Sequence, residues 1–303
     1  MRVSVDRSRL LTESVNPRTA DIDTLEPRSI LDRIHAEDQR AVAAVGEVLD
    51  DVAAAVERVE RAFRSGGRLI YVGAGTSGRL GVLDAAECPP TFGTDPSLVQ
   101  GILAGAPEAM WRAREGAEDS PEGGAAAIAE RGVGERDVVV GIAAGATTPF
   151  VLGALGEAIR RGAGTVFLTC VPPSDAPIAR EVDVVIAPLT GPEVIAGSTR
   201  MKAGTATKLV LNMLTTAAMV RLGKTYGNLM VDLQVTAAKL EDRGRRILRE
   251  LLEVDYDEAG ALLAEAGGRV KTALVMRRRG VGREQAERLL AEADGFLRRA
   301  WVE

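Results

Sequence analysis

Three clusters of glycine and hydroxyl residues are the parts of this sequence whose residue types and spacing fit a chemical role. The first, Gly73-Ala74-Gly75-Thr76-Ser77-Gly78-Arg79, follows the apolar run Arg68–Val72 and precedes a helical pattern. Free backbone N–H groups at a helix N-terminus, together with hydroxyl groups, suit a terminal phosphate. The candidate phosphate-binding residues of this cluster are Gly75, Thr76, Ser77, Gly78 and Arg79.

The same cluster matches the G-x-G-x-x-G pattern of dinucleotide-binding proteins, but its surroundings do not. That use of the pattern needs an acidic residue at the end of the next strand to hold a ribose hydroxyl. Here the next apolar run ends in Leu103-Ala104-Gly105-Ala106, without a carboxylate. The pattern alone leaves one alternative open, a tight strand-to-helix turn whose glycines serve only the backbone.

The second and third clusters repeat this arrangement further along the chain. Ala143–Pro149 follows the apolar run Asp137–Ile142, and Gly197–Thr205 precedes a long helical pattern. If the strands are parallel, loops at their carboxyl ends converge on one crevice, so an anionic small-molecule site is predicted there. Solvated surface charges remain the alternative for the two cations. The candidate residues are Gly145, Thr147, Thr148, Ser198, Thr199, Arg200 and Lys202.

Two glutamates are candidates for acid–base chemistry near these loops. The helix after the first cluster is expected to stop before Pro89-Pro90, because a proline disfavours helical geometry at the residue before it. Glu87 would then lie at a helix C-terminus, where a carboxylate holds its proton more tightly and suits a general acid. Glu118 lies in the acidic stretch Glu115–Asp119, and for either residue a solvated surface charge is the alternative.

Composition excludes several other classes of function. The 303 residues contain one histidine and two cysteines, which excludes a histidine cluster and a four-cysteine zinc site. A net charge of −5 and 3% aromatic residues give no reason to expect a nucleic-acid partner. We find no signal-peptide pattern and no apolar run of membrane-spanning length, and we expect a cytoplasmic protein.

The clusters require an alternating framework of strands and helices to position them. Short apolar runs alternate with helical patterns as far as about residue 200, which predicts an α/β fold with a doubly wound, mostly parallel sheet covered by helices on both faces. Ser29–Arg64 is predicted to be one long helix or two, opened by Pro27. We expect one domain over residues 1–250 and a small helical domain over residues 251–303.

Five segments resemble the signature motifs of one enzyme family, the N-acetylmuramic acid 6-phosphate etherases. This family has the sugar-isomerase (SIS) fold, and its animal relative is the glucokinase regulatory protein. The matching segments lie along nearly the whole chain, and they are Leu11–Asn16, Gly73–Gly93, Gly116–Ser120, Gly197–Thr205 and Gly227–Asp232.

The resemblance implies a reaction for the two glutamates. The family cleaves the D-lactyl ether of its phosphosugar by eliminating lactate and adding water, in the recycling of cell-wall amino sugars. Glu87 matches the family's proton donor, and Glu118 matches its second catalytic glutamate, the expected C2 base. The resemblance also implies no cofactor, a small three-helix C-terminal unit, and a homodimer in which Ser29–Arg64 is a candidate interface.

One loop departs from the family pattern. Etherases typically carry Ser-Gly-x-Thr in the second cluster, whereas this chain has Gly145-Ala146-Thr147-Thr148, so only Thr148 is kept in place. We expect this change to affect substrate affinity more than chemistry. Two alternatives follow from the related proteins, namely a sugar-phosphate sensor without catalysis and a phosphosugar isomerase that needs no acid for a leaving group.

Overall fold

The computed structural model describes residues 11–105, 107–112, 114, 116–235 and 237–301. The chain forms two compact units. One, here called the sheet unit, comprises the chain up to Ala86 together with Ser97–Thr215. The other, here called the helical unit, comprises Glu87–Pro96 and the chain from Thr216 onward.

The sheet unit contains a five-stranded parallel sheet with the strand order β2-β1-β3-β4-β5. The predicted α/β fold with a parallel sheet is confirmed. Most strand residues are apolar and buried, as expected for a parallel sheet that helices cover. The strands are β1 Leu69–Gly73, β2 Val99–Leu103, β3 Val138–Ile142, β4 Gly164–Leu168 and β5 Val184–Ile186.

Successive side chains along each strand point to opposite faces of the sheet, so the buried strand residues lie on both faces, and helices cover each of them. On one face, Val139 belongs to a buried cluster with Phe150 and Val151. On the other face, Gly81 lies against Tyr71. The helices that begin in this unit are α1 Pro27–Gly46, α2 Leu49–Arg64, α3 Gly75–Phe92, α4 Pro121–Glu130, α5 Pro149–Arg160 and α6 Lys202–Arg221.

The helical pattern over Ser29–Arg64 is two helices, one of the two predicted forms. Pro27 occupies the first turn of α1, where its missing N–H costs nothing. The chain leaves helical geometry at Val48, which caps α2 with a φ of −119° and a ψ of 18°.

Helix α3 differs from its prediction at both ends. It begins at Gly75, so Thr76, Ser77 and Gly78 form its first turn, and it continues through Pro89 and Pro90 to Phe92. The expected stop before the prolines is therefore wrong. A proline inside a helix costs about 3 kcal/mol, and here there are two. Cys88 and Phe92, which flank them, are buried, and their burial acts against this cost.

The helical unit is a set of short helices around one apolar core. The C-terminal part of the unit begins at Thr216, whereas the sequence led us to expect a division at residue 250. Ile247 and Leu248, in the helix Ala238–Leu252, are buried in the same core as the later helices, so this helix belongs with them. Within the described residues, no helix is long and apolar enough to cross a membrane. The further helices are α7 Ala238–Leu252, α8 Tyr256–Glu265, α9 Val270–Arg279, α10 Arg283–Glu292 and α11 Leu297–Ala300.

Candidate active site

The first and second clusters leave the sheet at the same edge. Strands β1 and β3 are parallel neighbours, and their last residues, Gly73 and Ile142, are in register. The first cluster follows β1, and the second follows β3. Their candidate residues therefore begin side by side at the carboxyl ends of two adjacent strands, which is where ligands bind in open α/β sheets.

The turn between β1 and α3 is tight because of Gly78. A Cβ at this position would lie 2.5 Å from the carbonyl oxygen of Gly73 and 2.6 Å from Cδ1 of Leu103, so only glycine allows the helix to begin this close to the sheet. The same turn provides candidate hydrogen-bond donors. The first N–H groups of a helix have no acceptor within it, and here they include those of Thr76 and Ser77.

The second cluster ends at the N-terminus of α5, where Thr148 is the N-cap residue. The carbonyl oxygen of Thr148 accepts hydrogen bonds from the N–H groups of Val151 and Leu152, both at 3.1 Å, but its hydroxyl does not cap the helix. The half-buried Gly145 and Thr147 precede it. The Thr148 hydroxyl is therefore available to hydrogen-bond a ligand, because it does not bond to an N–H group of the helix.

The third cluster lies next to the first. A Cβ at Gly204, in the first turn of α6, would lie 3.6 Å from Cγ2 of Thr76. The N–H of Gly204 donates to the carbonyl oxygen of Thr199 at 3.0 Å, which closes the turn before the helix. Ser198 and Thr199 are half-buried and Arg200 is exposed. The third cluster thus adds two hydroxyl residues and a cation beside the beginning of α3.

Lys202 does not share this exposed position. Its side chain is completely buried, and its Nζ lies 2.6 Å from Oε2 of Glu37 and donates to the carbonyl oxygen of Pro192 at 2.8 Å. The expectation that Lys202 contacts a ligand therefore differs from its place in the structure. The physical reason is a counterion from α1, 165 residues away in sequence, which local pattern cannot reveal.

Glu37 is the centre of this buried network. It accepts hydrogen bonds from Nη2 of Arg18 and from Nδ2 of Asn16, both at 2.9 Å. The hydrogen bonds from Arg18, and then from Lys202 and Asn16, lower the pKa of Glu37 to about 2 against the opposing effect of burial. The network ties the N-terminal segment and α1 to the beginning of α6.

Glu193 holds the same helix start from the other side. It is completely buried, and its two carboxylate oxygens accept the backbone N–H groups of Lys202 at 2.8 Å and Ala203 at 3.0 Å. Burial raises its pKa. Sequence reasoning missed both acidic residues. For Glu37, one sequence feature could have indicated burial: it shares four-residue spacing with Ala41 and Val45, which lie on the buried face of α1.

Glu118 lies in a cleft next to the first cluster. It belongs to the short helical turn Ala117–Asp119 and is exposed. Arg79 also lines this cleft, and its Nε donates to the carbonyl oxygens of Ala109 at 2.9 Å and Met110 at 3.2 Å. The cleft has a volume of about 140 Å³ and is lined by Ala74, Gly75, Arg79, Ala104, Ala109, Arg114 and Glu118.

Glu87 is placed differently from its prediction. It lies within α3, five residues before the helix ends at Phe92, so the argument from a helix C-terminus does not apply. Its side chain is exposed. Glu87 belongs to the helical unit, whereas Glu118 and the three clusters belong to the sheet unit.

The two cysteines and the one histidine of the chain lie outside the three clusters. Cys88 and Cys170 are both buried. Burial raises the pKa of Cys170 to about 12, which keeps this thiol protonated. His35 is exposed on α1 beside Gln39. In the part of the chain that the structure describes, no three His, Cys, Asp or Glu side chains are grouped to hold a metal ion.

Comparison with known proteins identifies the family. The chain is 52% identical over 300 residues to an N-acetylmuramic acid 6-phosphate etherase from Synechocystis, covering 99% of this chain and 98% of the relative. It belongs to the N-acetylmuramic acid 6-phosphate etherase family. A relative of the same name from Salinibacter ruber is 55% identical over 292 residues, covering 96% of this chain and 93% of that one. The family resemblance predicted from the motifs is confirmed.

Two further similarities concern parts of this etherase-family chain. Residues 51–159 match the model of the glucokinase regulatory protein N-terminal SIS domain. These residues include β1, both glutamates and the first two clusters. A solved structure of phosphoheptose isomerase from Neisseria gonorrhoeae is 16% identical, with a TM-score of 0.46, covering 63% of this chain and 98% of that chain.

Proposed function

We propose that this protein cleaves the D-lactyl ether of N-acetylmuramic acid 6-phosphate, giving N-acetylglucosamine 6-phosphate and D-lactate. One observation carries the proposal, the identity of 52% to an etherase of that name over nearly the whole length of both chains. The geometry supports it, since the N-terminus of α3 offers N–H groups and hydroxyls to a phosphate beside the cleft of Glu118.

The proposed reaction is an elimination followed by an addition. Ring opening exposes the C1 aldehyde, which acidifies the proton on C2. Glu118 removes this proton, the C3–O bond breaks, and its electron pair leaves with the lactate oxygen as the C2–C3 double bond forms. Glu87 donates the proton that the lactate oxygen takes up. Water then adds to C3, and C2 regains a proton.

The phosphate is proposed to bind at the first turn of α3, with the half-buried hydroxyls of Thr76, Ser77, Thr148 and Ser198 around it. These groups belong to the three neighbouring segments of the sheet unit. Glu118 lies in the cleft that Gly75 also lines, so a sugar held by its phosphate there would present carbon atoms to this carboxylate.

The proposal includes a cytoplasmic homodimer. Support for a dimer comes from three large apolar side chains on α1 and α2, since Leu31, Val42 and Leu49 are 61%, 54% and 49% exposed. Apolar groups of this size on a helix surface favour association. Sedimentation of the purified protein would give about twice the 32.0 kDa chain mass, and a monomer at micromolar concentration would contradict the dimer.

Two substitutions test the roles of the glutamates. Glu87→Gln and Glu118→Gln are each expected to slow lactate release by roughly 10²- to 10⁴-fold, because each removes one proton transfer. In deuterated water, Glu87→Gln should retain deuterium exchange at C2 of recovered substrate, whereas Glu118→Gln should lose it. Glu130→Gln, an exposed glutamate on α4, is the matched control and should behave as wild type.

Three outcomes would contradict the proposal. Deuterium at C2 without lactate from the wild type would indicate a phosphosugar isomerase. Tight binding with neither event would indicate a sensor, a role compatible with the match to the regulatory protein's SIS domain. Unchanged lactate release in both glutamine variants would show that other groups carry the chemistry.

A further inference from the structure

The motif Gly227–Asp232 has no role in the proposed binding site, yet the structure places its last residue at the end of α3. Gly93, the first residue after that helix, has a left-handed φ of 62°. A Cβ there would lie 2.2 Å from the carbonyl oxygen of Asp232 and 3.4 Å from Cγ of Gln234. The backbone of Gly93 therefore rests directly on the backbone of Asp232, and only glycine permits this approach.

Hydrogen bonds fix both sides of Gly93. Its N–H donates to the carbonyl oxygen of Pro89 at 2.9 Å, which closes the last turn of α3. Its carbonyl oxygen accepts from Nε2 of Gln234 at 3.3 Å. The last turn of the helix and the segment Val231–Gln234 are thus joined by a close contact and by a hydrogen bond.

The segment Val231–Gln234 is itself held in place. Val231 and Leu233 are almost completely buried in the core of the helical unit. Between them, one carboxylate oxygen of Asp232 lies 2.9 Å from Nζ of Lys224 and 3.0 Å from Nζ of Lys271.

Lys271 is the more buried of the two lysines that contact Asp232. Its side chain is only 8% exposed, and its Nζ also donates to the carbonyl oxygen of Gly295 at 2.8 Å. Burial lowers its pKa, and the nearby Asp232 opposes this effect. A buried ammonium group needs its counterion, so the position of the Asp232 carboxylate is strongly fixed.

We propose that Asp232, held by Lys224 and Lys271, is a positioning residue for Glu87, acting through Gly93 and the last turns of α3. Glu87 lies six residues before Gly93 on the same helix and in the same unit, so a displaced helix end moves its carboxylate. The inference rests on the proposed function, in which Glu87 protonates the departing lactate. Asp232 itself touches neither substrate nor reacting atoms in this account.

The test uses the full chain and compares two rates, deuterium exchange at C2 and lactate release. Gly93→Ala should slow lactate release about 10²-fold, and Asp232→Asn about 10-fold, because a misplacement near 1 Å has effects of this size. Exchange at C2 depends on Glu118 and should be nearly unchanged. The ratio of exchange to release should therefore rise in both variants, as in Glu87→Gln, with little change in KM.

Two controls separate positioning from general destabilisation. Gly280→Ala places alanine at a φ of 64° but meets no atom within 4 Å, so it carries the backbone strain without the clash. Leu263→Ala removes a buried side chain from the same core and lowers stability away from Gly93. Both controls should keep the wild-type ratio even where their melting temperature falls as far as that of Asp232→Asn.

The outcomes distinguish the two proposals. If the wild type releases no lactate, the proposed function fails. If the wild type releases lactate but Gly93→Ala and Asp232→Asn keep the wild-type ratio of exchange to release, the positioning role is wrong. The same conclusion follows if the two controls raise the ratio as much as the two test variants.

Discussion

Glu37 and Lys202 form an ion pair in which both side chains are almost completely buried, at 2% and 0% exposure. Breaking such a pair leaves one uncompensated charge in the interior, which costs about 3–5 kcal/mol. Arg18 and Arg40 also face the Glu37 carboxylate, so the group is surrounded by cations. This single carboxylate joins the N-terminal segment to the helix start beside the proposed phosphate site.

Acid should weaken this network within a definite pH range. The folded pKa of Glu37, about 2, lies below its ordinary value of 4.5, so its contribution is complete above about pH 4.5 and is lost as the pH falls towards 2. The difference in unfolding free energy between wild type and Glu37→Gln should therefore shrink by about 3 kcal/mol over this range.

Urea unfolding at several pH values measures this difference, with the exposed Glu47→Gln as the control. Asp84, whose pKa burial raises, interacts with Tyr71, Thr215 and Lys208 and not with the Glu37 network, so its contribution cancels in the comparison. A difference that stays constant between pH 5 and pH 2.5 would contradict the assigned network.

At the level of single residues, the sequence predicted where the candidate site residues lie along the chain's strands and helices, and it missed the contacts between distant segments. The positions of Thr76, Ser77 and Thr148 at helix starts could be predicted, because glycine and hydroxyl residues there follow apolar strand patterns. The burial of Lys202 was not, because its counterion Glu37 lies on another helix far away in sequence. Asp232 belonged to a motif whose contact with Gly93 only the fold creates.

Among the elements, α3 shows most clearly that packing can override a local sequence preference. Proline chemistry predicts a stop near residue 88, but the helix continues to Phe92. Cys88 and Phe92 are 3% and 7% exposed, and an earlier end to the helix would expose them. The continuation brings Gly93 to Asp232, so the segment that carries Glu87 is fixed at its far end.

In the loop before α5, Ala146 has a left-handed backbone conformation that glycine adopts more readily than alanine. Ala146 has a φ of 58°, which costs an L-residue about 1–2 kcal/mol. The double substitution Gly145→Ser with Ala146→Gly restores the etherase pattern Ser-Gly-x-Thr. It should lower KM for the phosphosugar about 3- to 10-fold through one added hydrogen bond, with kcat unchanged.

Steady-state kinetics of the double variant beside Thr148→Val measures this effect. Thr148→Val removes a hydroxyl that does not cap α5, so it should raise KM without lowering stability appreciably. If the double variant changes kcat while KM stays constant, the loop acts on the chemical step rather than on binding.

On the scale of the whole molecule, the two candidate carboxylates are carried by different compact units, Glu118 by the sheet unit and Glu87 by the helical unit. The sequence predicted the order of strands and helices well, because apolar strand runs and helical periods are local signals. It placed the division near residue 250, whereas the helical unit begins at Thr216 and takes in Glu87–Pro96. Contacts between segments distant in sequence decide such a grouping.

Isotope labelling of water distinguishes elimination and addition at C3 from other routes to lactate. Purified protein would be incubated with N-acetylmuramic acid 6-phosphate in water enriched in oxygen-18 and in deuterium, and both products would be analysed by mass spectrometry. We expect oxygen-18 on C3 of N-acetylglucosamine 6-phosphate, deuterium on C2, and D-lactate without oxygen-18 in its hydroxyl group. Oxygen-18 in the lactate hydroxyl, or the absence of lactate, would contradict elimination and addition at C3.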